Sequence, residues 1–422
     1  MSTTSKAGHL DPQFASQGRF SHSAYDHLGP ITLDSNQKTL ISSAPRAASV
    51  IKMLRLEPNG ALDTGFGVQG VATVEYDGAL RVFLTGIVTD ETGRIFIVAD
   101  YNYAPDSYHP MIIRLLPNGA PDTSFGEDNK AYRVYRAISS TSKDGAIKLR
   151  SDVQSQSRSL NASNSVGIWD GILYFHSRDH IVAATLAGDL ATEFNGTGYW
   201  RATHDNSPVL LRAMTTSEGS IYAAFAPLPG EEFEEYVFVT RLDRHGKVDA
   251  SFAEDGYLRL ATPGYPVLPA VLRQSVSNQH FVLACSIDVN TYDEGTALMA
   301  FNSDGTLTDT FNNGNPVIIE KNPEIVASPN DLAFDANTSE AEKLYLAVLY
   351  EDKNLYSPFT TLRLNSDGKL DPTYGADGWA FIGESGLASS ITCQPNGQLL
   401  VASNLKLPTD PRAGLYLTRL LA

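Results

Sequence analysis

Three histidines and two aspartates near the middle of the chain are the residues best placed for metal chemistry. The segment YFHSRDHIV carries three of them at one tight connection between strands, and YWRATHDN carries the other two on the strand that follows. Imidazole and carboxylate groups that converge on one rim are typical ligands of a transition metal. The predicted metal set is His176, Asp179, His180, His204 and Asp205. The alternative is that they are ordinary surface residues at strand ends.

A second candidate site consists of aromatic residues that stand among acidic residues in irregular segments. Rigid aromatic rings beside carboxylates suit sugar rings or a basic protein surface. The predicted ligand-binding residues are Tyr101, Tyr103, Tyr108, Phe233, Tyr236, Tyr292, Tyr350 and Tyr356. The alternative is that these rings pack locally while the acids keep the protein soluble.

No motif in the sequence identifies an enzyme. Gly-x-Ser-x-Gly, P-loop and zinc-protease patterns are missing from the chain. The two cysteines, Cys285 and Cys393, lie in apolar surroundings and form neither a disulfide framework nor a zinc set. The sequence therefore predicts no catalytic residue and no cofactor.

The charge balance excludes two classes of partner. The 422 residues include 32 Lys and Arg against 48 Asp and Glu, a net charge of −16, and no basic run. Nucleic acid and anionic membranes both require clusters of Lys and Arg. The N-terminal segment MSTTSKAGHLDPQF lacks the apolar core of a signal peptide, and no stretch is long enough to span a bilayer. We expect a cytoplasmic protein, or one exported by a route that needs no signal, with no membrane insertion.

One motif, Gly-x-Leu-x-x-x-aromatic, recurs along the whole chain, with Pro121 and Val248 in place of the leucine in two copies. Successive copies are 52 to 69 residues apart, a period typical of architectures with one supersecondary unit per repeat. The seven copies are Gly8–Phe14, Gly60–Phe66, Gly119–Phe125, Gly188–Phe194, Gly246–Phe252, Gly305–Phe311 and Gly368–Tyr374.

Each repeat predicts four β-strands. Short apolar and β-branched runs alternate with Gly, Asn and Asp turns, the pattern of consecutive antiparallel strands. Repeated four-stranded units form β-propellers, in which radial repetition protects the sheet edges. The chain starts with the motif and its following strand, and it ends with the strand GLYLTRLLA that precedes the motif elsewhere. The sequence therefore predicts an all-β fold, a seven-bladed propeller over 1–422, whose N-terminal strand completes the C-terminal blade. The polar, Ser-rich segment 136–165 is predicted to be an inserted loop.

An arginine and an aspartate eight residues apart belong to the repeat. Two repeats lack the pair, and each lacks both members: Ala183 with Ala191, and Ala300 with Thr308. A lone buried charge is unfavourable, so the joint loss indicates a salt bridge. The predicted structural pairs are Arg55–Asp63, Arg114–Asp122, Arg241–Asp249, Arg363–Asp371 and, across the termini, Arg419–Asp11.

The motif with its flanks, RL-x-x-x-G-x-L-D-x-x-F-G-x-x-G, resembles the bacterial delta-60 repeat. The resemblance is clear at Leu54–Gly70, Ile113–Gly126, Arg241–Gly256 and Arg363–Gly378. It implies a propeller and supplies no catalytic residues.

The predicted topology divides the connections between two faces. Short regular turns and the motif lie on one face, and the irregular segments 100–110, 226–236, 286–296, 350–359 and 403–414 lie on the other. Variable loops on a rigid scaffold commonly carry binding sites. We therefore expect a non-catalytic binding or scaffold protein that recognises a glycan or a protein partner through the irregular face. The alternatives are a lyase or hydrolase with an active site at the axial mouth, and a subunit of a secreted or toxin-like assembly.

Overall fold

The fold is that of a computed structural model. It describes residues 6–22, 29–45, 49–104, 107–138, 140–141, 165–205, 207–227, 234–277, 280–290, 293–319, 325–335, 341–352, 358–407 and 410–422. The regular elements of these residues are strands, apart from two 3-10 turns at Glu127–Asn129 and Asn312–Gly314. Within the same residues, no helix has the length and hydropathy needed to cross a bilayer.

The described residues form twenty-nine strands. In chain order they are β1 (Arg19–His22), β2 (Ile31–Leu33), β3 (Thr39–Ser43), β4 (Val50–Leu56), β5 (Val71–Glu75), β6 (Arg81–Thr89), β7 (Ile95–Ala104), β8 (Ser107–Leu115), β9 (Tyr132–Val134), β10 (Ser140–Thr141), β11 (Val166–Trp169), β12 (Ile172–Ser177), β13 (His180–Thr185), β14 (Tyr199–Arg201), β15 (Thr203–His204), β16 (Ser207–Ser217), β17 (Ser220–Pro227), β18 (Tyr236–Leu242), β19 (Tyr257–Ala261), β20 (Val267–Gln274), β21 (Phe281–Asn290), β22 (Asp293–Phe301), β23 (Val317–Ile319), β24 (Ile325–Phe334), β25 (Lys343–Asp352), β26 (Pro358–Asn365), β27 (Trp379–Cys393), β28 (Leu399–Leu407) and β29 (Asp410–Leu420).

Antiparallel pairing groups these strands into seven four-stranded blades, which confirms the predicted fold. Blades 1 to 7 consist of β2–β5, β6–β9, β11–β14, β16–β19, β20–β23, β24–β27, and β27–β29 with β1. The short strands β10 and β15 add to β8 and β16. Strand β27 serves two blades: residues 379–381 pair with β26, and residues 385–393 pair with β28.

The blades form a closed ring around a central channel. The inner strands β2, β6, β11, β16, β20, β24 and the second part of β27 are neighbours in this order, and β27 again lies beside β2. Apolar side chains pack between adjacent blades; Met53 of blade 1 and Ile97 of blade 2, for example, belong to one buried cluster. In the described residues, β2, β6, β11, β20 and β24 each pair with one neighbour only, so their other edge borders the channel. Strand β16 also pairs at its start with the two-residue strand β15, and the first part of β27 pairs with β26.

The two ends of the chain close the ring together. Strand β1 pairs with β29, with Arg19 opposite Thr418. The Asp11 amide donates a hydrogen bond to the Arg419 carbonyl at 2.9 Å. The prediction that the first residues complete the last blade is confirmed.

The seven motifs lie on one face, here called the motif face, and each packs on the next. The aromatic residue of every motif is at most 2% exposed. Full burial of one such ring contributes about 1.5–3 kcal/mol. The glycine of the following motif covers it: Gly119 has φ +83°, and a Cβ there would lie 2.7 Å from the Phe66 ring. A side chain at this position would therefore be excluded by both strain and space.

The five predicted arginine–aspartate pairs all lie within salt-bridge distance. Arg114, for example, donates from Nε to Asp122 and from Nη1 to the Leu186 carbonyl in the next blade at 2.6 Å. Each pair thus fastens its own motif and, in four of the five repeats, also reaches the neighbouring blade. The pairs are Arg55–Asp63 (2.8 Å), Arg114–Asp122 (2.8 Å), Arg241–Asp249 (2.7 Å), Arg363–Asp371 (3.1 Å) and Arg419–Asp11 (2.8 Å).

The opposite face differs from the prediction of irregular loops. Strands β7 and β8 extend to Ala104 and from Ser107, so most of segment 100–110 is a β-hairpin. Strands likewise enter segments 286–296, 350–359 and 403–414. Antiparallel pairing satisfies the backbone polar groups of these polar segments, which a loop would leave to water. We call this surface the hairpin face. Most of the predicted insertion 136–165 lies outside the described residues.

Candidate ligand-binding site

Five inner strands carry a β-bulge at the same level of the channel. In each case the strand has one residue more than its partner, and the extra residue lies at the edge that borders the channel. Four of these residues are small or uncharged, and one is an arginine. The five are Thr85, Arg212, Ala270, Asn330 and Ser389.

Arg212 is closely surrounded by protein but has no ionic partner. Among the residues that the structure describes, no carboxylate or carbonyl accepts a hydrogen bond from its guanidinium. Burial, and to a smaller extent the charge of Arg178, lowers the pKa of Arg212 to about 10. The group therefore remains cationic at neutral pH, at the only charged bulge position of the five.

His176 lies at the end of β12, close enough to feel the charges of Arg178 and Arg212. Its Nε2 atom donates a hydrogen bond to the Arg178 carbonyl. Burial is the main cause that lowers the pKa of His176, and the two arginines act in the same direction while the Asp100 carboxylate opposes them. The imidazole is therefore neutral at pH 7, and the Nε2 bond leaves Nδ1 as its acceptor atom.

Arg178 stands in the two-residue turn between β12 and β13. Its φ of +57° bends the chain sharply at this point. The guanidinium carbon lies 3.6 Å from the centre of the Tyr108 ring in blade 2, and Nε lies 3.2 Å from the buried Asp100 carboxylate. Ser177 donates to the other oxygen of Asp100 at 2.6 Å. These contacts hold blade 3 against blade 2.

Formal charges in this cluster do not cancel. Arg178 and Arg212 supply two positive charges, Asp100 supplies one negative charge, and His176 is neutral. The remaining positive charge lies in a chain whose net charge is −16. We call Asp100, His176, Arg178 and Arg212 the channel cluster.

On the far side of the channel, a buried charge does have protein partners. Asp331 directly follows the bulge residue of blade 6 and is fully buried. It accepts hydrogen bonds from Arg273 of blade 5 at 3.0 Å and from the Ile391 amide of blade 7 at 2.8 Å. The inner strands of three blades are therefore joined by one carboxylate whose partners are all protein groups.

Three tyrosines on the hairpin face each have an arginine over the ring. The guanidinium carbon of Arg136 lies 5.0 Å from the Tyr103 ring centre, and that of Arg259 lies 4.0 Å from the Tyr236 ring centre. Tyr108 with Arg178 is the third pair. Cation–π contacts of this kind hold both groups in fixed positions. Because they belong to blades 2 and 4, these pairs flank the short hairpin of blade 3.

The structure divides the other predicted ligand-binding residues into two groups. Tyr101 is 1% exposed, and its hydroxyl donates to the Asp77 carbonyl at 2.5 Å, so it packs inside the blade and is not open to a ligand. This corrects the prediction for Tyr101. Phe233, Tyr292 and Tyr356 lie outside the described residues, and for Tyr350 the structure describes the backbone of β25 only.

The predicted metal ligands form separate pairs. His180 and Arg201 both contact Asp179, at 2.9 and 2.8 Å. Because Arg201 is a permanent cation, it disfavours a metal ion at this carboxylate.

The remaining predicted metal ligands lie elsewhere. His204 stacks on Phe238 with ring centres 4.1 Å apart, and the Asp205 side chain is 90% exposed. His176 belongs to the channel cluster. In the described part of the chain, no three His, Cys, Asp or Glu side chains are arranged to hold a metal ion. The described structure therefore does not bring these five side chains together: the three histidines lie on β12, β13 and β15, and Asp179 and Asp205 lie in turns.

Sequence reasoning missed Asp100, Arg178 and Arg212 as a group. The motif alignment does not extend to the inner strands, where a bulge shifts the register by one residue. Comparing the inner strands of the repeats with one another is the signal that would have singled out Arg212.

Two segments of the chain, residues 47–66 and 92–125, match the family described as "Domain of unknown function (DUF5122) beta-propeller". They cover the motifs of blades 1 and 2, so the repeat is one of a known propeller type. No curated protein matches the sequence.

Solved structures with the same architecture have very different sequences. Drosophila Semaphorin 2a is 8% identical, with a TM-score of 0.51 over 98% of this chain and 76% of that chain. A chain of the Mitotic Checkpoint Complex is 9% identical, with a TM-score of 0.49 over 98% and 99%. The polysaccharide lyase Uly1 is 10% identical, with a TM-score of 0.48 over 99% and 94%. At such identities the likeness concerns the fold alone.

Proposed function

We propose that this repeat-built β-propeller is a non-catalytic binding protein that takes a glycan on its hairpin face, over blades 2 to 4. The observation that carries the proposal is the set of tyrosine–arginine pairs at Tyr103, Tyr108 and Tyr236. Aromatic rings with a polar edge suit the apolar face and hydroxyls of a sugar. Arginine held beside them adds hydrogen-bond donors at fixed positions.

The shape of the hairpin face favours the end of a saccharide chain over the flat surface of a folded protein. Strands β12 and β13 of blade 3 have six residues each, whereas β7 and β8 of blade 2 have ten and nine. The hairpin of blade 3 is therefore a low point beside a taller neighbour. A notch of this kind admits a narrow ligand such as a saccharide chain, whereas a folded protein requires a broader contact area.

A screen of neutral and acidic glycans tests the proposal. We expect wild-type protein to bind members of the set, and the double variant Tyr103→Ala, Tyr236→Ala to bind them at least about tenfold more weakly, since aromatic anchors supply much of such binding energy. The matched control is Phe381→Ala, because Phe381 is an exposed aromatic residue on the outer strand of blade 6.

Two outcomes would contradict the proposal. One is the absence of binding to every glycan of the set, with a protein captured instead. The other is undiminished binding by the double variant. Mass spectrometry of bound glycans after incubation tests the non-catalytic part, since any cleavage product that forms with wild-type protein would favour the enzyme alternative.

A further inference from the structure

We infer that the channel cluster is a carboxylate-binding site, in which Arg212 holds the anion with Arg178 and His176 beside it. The inference deepens the proposed function and rests on it for the saccharide: the glycan would carry an acidic sugar, such as a uronate, whose carboxylate enters the channel. Arg178 belongs both to the cluster and to a tyrosine–arginine pair, since it contacts Asp100 and the Tyr108 ring, so the two candidate regions are contiguous there.

The first argument is the isolation of the Arg212 guanidinium. The five paired arginines of the repeat each have their aspartate within 3.1 Å, and Arg273 on another inner strand has Asp331. Placing a charge among protein atoms without a partner is strongly unfavourable. Because no described residue pairs with Arg212, this charge adds no stability to the described part of the fold, and an external anion would supply a partner.

The second argument is the comparison with the equivalent positions. The other bulge residues are Thr85, Ala270, Asn330 and Ser389, all short side chains. Arg212 is therefore the one long, charged side chain among the five bulge positions. Thr85 also has a buried hydroxyl oxygen without a hydrogen-bond partner.

The third argument is the number of charges. One uncompensated positive charge matches one carboxylate, and the net charge of −16 on the whole chain repels a highly charged polyanion. Guanidinium and carboxylate are both planar and form two parallel hydrogen bonds, which gives orientation as well as affinity. A metal cation is disfavoured here, because two guanidinium groups would repel it.

Calorimetric titration with four small ligands tests the inference. The ligands are D-galacturonic acid, its neutral methyl ester, galactose and lactate. We expect galacturonic acid to bind at least about tenfold more tightly than its methyl ester and galactose, because a charged hydrogen bond is lost in both. In Arg212→Met this preference is expected to disappear. The control Arg201→Met removes an arginine that already has Asp179 as partner, and it is expected to keep the preference.

The outcomes separate this inference from the proposed function. Equal binding of galacturonic acid and its methyl ester, or a preference that survives in Arg212→Met, would overturn the carboxylate site while leaving glycan binding intact. Lactate bound as tightly as galacturonic acid, with both lost in Arg212→Met, would support the site and refute its link to a saccharide. Thermal melting of each variant serves as the control that checks whether the fold is retained.

Discussion

Arginine has two different roles in this molecule, on the motif face and in the channel. On the motif face, five arginines each contact an aspartate of the same repeat motif. In the channel, Arg212 has no such partner among the described residues. A paired arginine of the motif face stabilises the contact between blades. An arginine without a partner in the described residues does not stabilise the fold, which indicates a position selected for another property.

The largest expected effect is the difference in stability between a variant of a paired arginine and a variant of Arg212. Arg114→Ala leaves Asp122 buried without its partner, which destabilises a protein by about 3–5 kcal/mol. Arg212→Met removes a charge that has no partner among the described residues, and it is expected to leave the melting temperature unchanged or raise it. Thermal unfolding of the two variants beside wild type measures the difference. If Arg212→Met is as unstable as Arg114→Ala, the two roles are not distinct.

A variant that lacks both members of an arginine–aspartate pair shows whether the loss of stability comes from the charge left unpaired. In the double variant Arg114→Ala, Asp122→Ala no charge is left unpaired, so we expect a smaller loss of stability than in Arg114→Ala alone. Blades 3 and 5 already show this arrangement, with Ala183 opposite Ala191 and Ala300 beside Thr308. A double variant less stable than the single variant would mean that each residue acts separately.

Acid should weaken the motif face. Burial alone would raise the pKa of Asp122, but hydrogen bonds from Ser124 and Arg114 outweigh it, and the pKa is lower than usual. The pKa of Asp249 is lowered by Ser251 first and by Arg241 as well. A carboxyl with a lowered pKa in the folded state contributes stability above its unfolded pKa of about 4, and this contribution is lost as the pH falls through the folded value.

Melting temperatures measured from pH 7 downwards test this dependence. We expect wild-type protein to lose stability below about pH 4. The double variant Arg114→Ala, Asp122→Ala should lose less stability over the same pH range, because it lacks the Asp122 carboxyl with its lowered pKa. If the melting temperatures of wild type and the double variant fall equally with pH, Asp122 does not contribute to the acid sensitivity.

The smallest expected effect concerns the channel cluster. Burial lowers the pKa of His176, so the ring gains a proton only below its usual value of about 6.5. Protonation adds a positive charge beside Arg178, Arg212 and Asp100, and it should tighten galacturonic acid binding as the pH falls from 7 to about 5. In His176→Gln, which can still donate to the Arg178 carbonyl, binding should vary less with pH. Titrations at several pH values give the comparison.

The fold was predictable because it is a local rule repeated seven times. Each motif has a turn glycine and a buried aromatic residue, five of the seven have the leucine, and five repeats have the charged pair. All of these are visible in a short stretch of sequence. The pairing of Arg419 with Asp11 followed from the same rule applied across the termini. The hairpins were less predictable, because polar segments such as 100–110 become strands only when a partner strand satisfies their backbone.

The candidate site was predictable in part. Tyr103, Tyr108 and Tyr236 were found from their aromatic and acidic surroundings, but their arginine partners Arg136, Arg178 and Arg259 were not. Tyr101 has the same surroundings in the sequence as Tyr103, and only the direction of its side chain relative to blade 1 makes it a core residue. The five metal candidates are close in sequence, yet the three histidines lie on the separate strands β12, β13 and β15, and Asp179 and Asp205 lie in turns.

By itself the sequence determined the repeat, the number of blades, the closure of the ring and the charged pairs of the motif face, because these depend on contacts within one repeat or between equivalent residues of successive repeats. The tertiary structure alone decided which side chains of different blades meet at the channel. Asp100, His176, Arg178 and Arg212 come from three blades, and a one-residue bulge directs Arg212 to their level. Contacts between non-equivalent positions of separate repeats follow no local rule, so they appear only when the ring is closed.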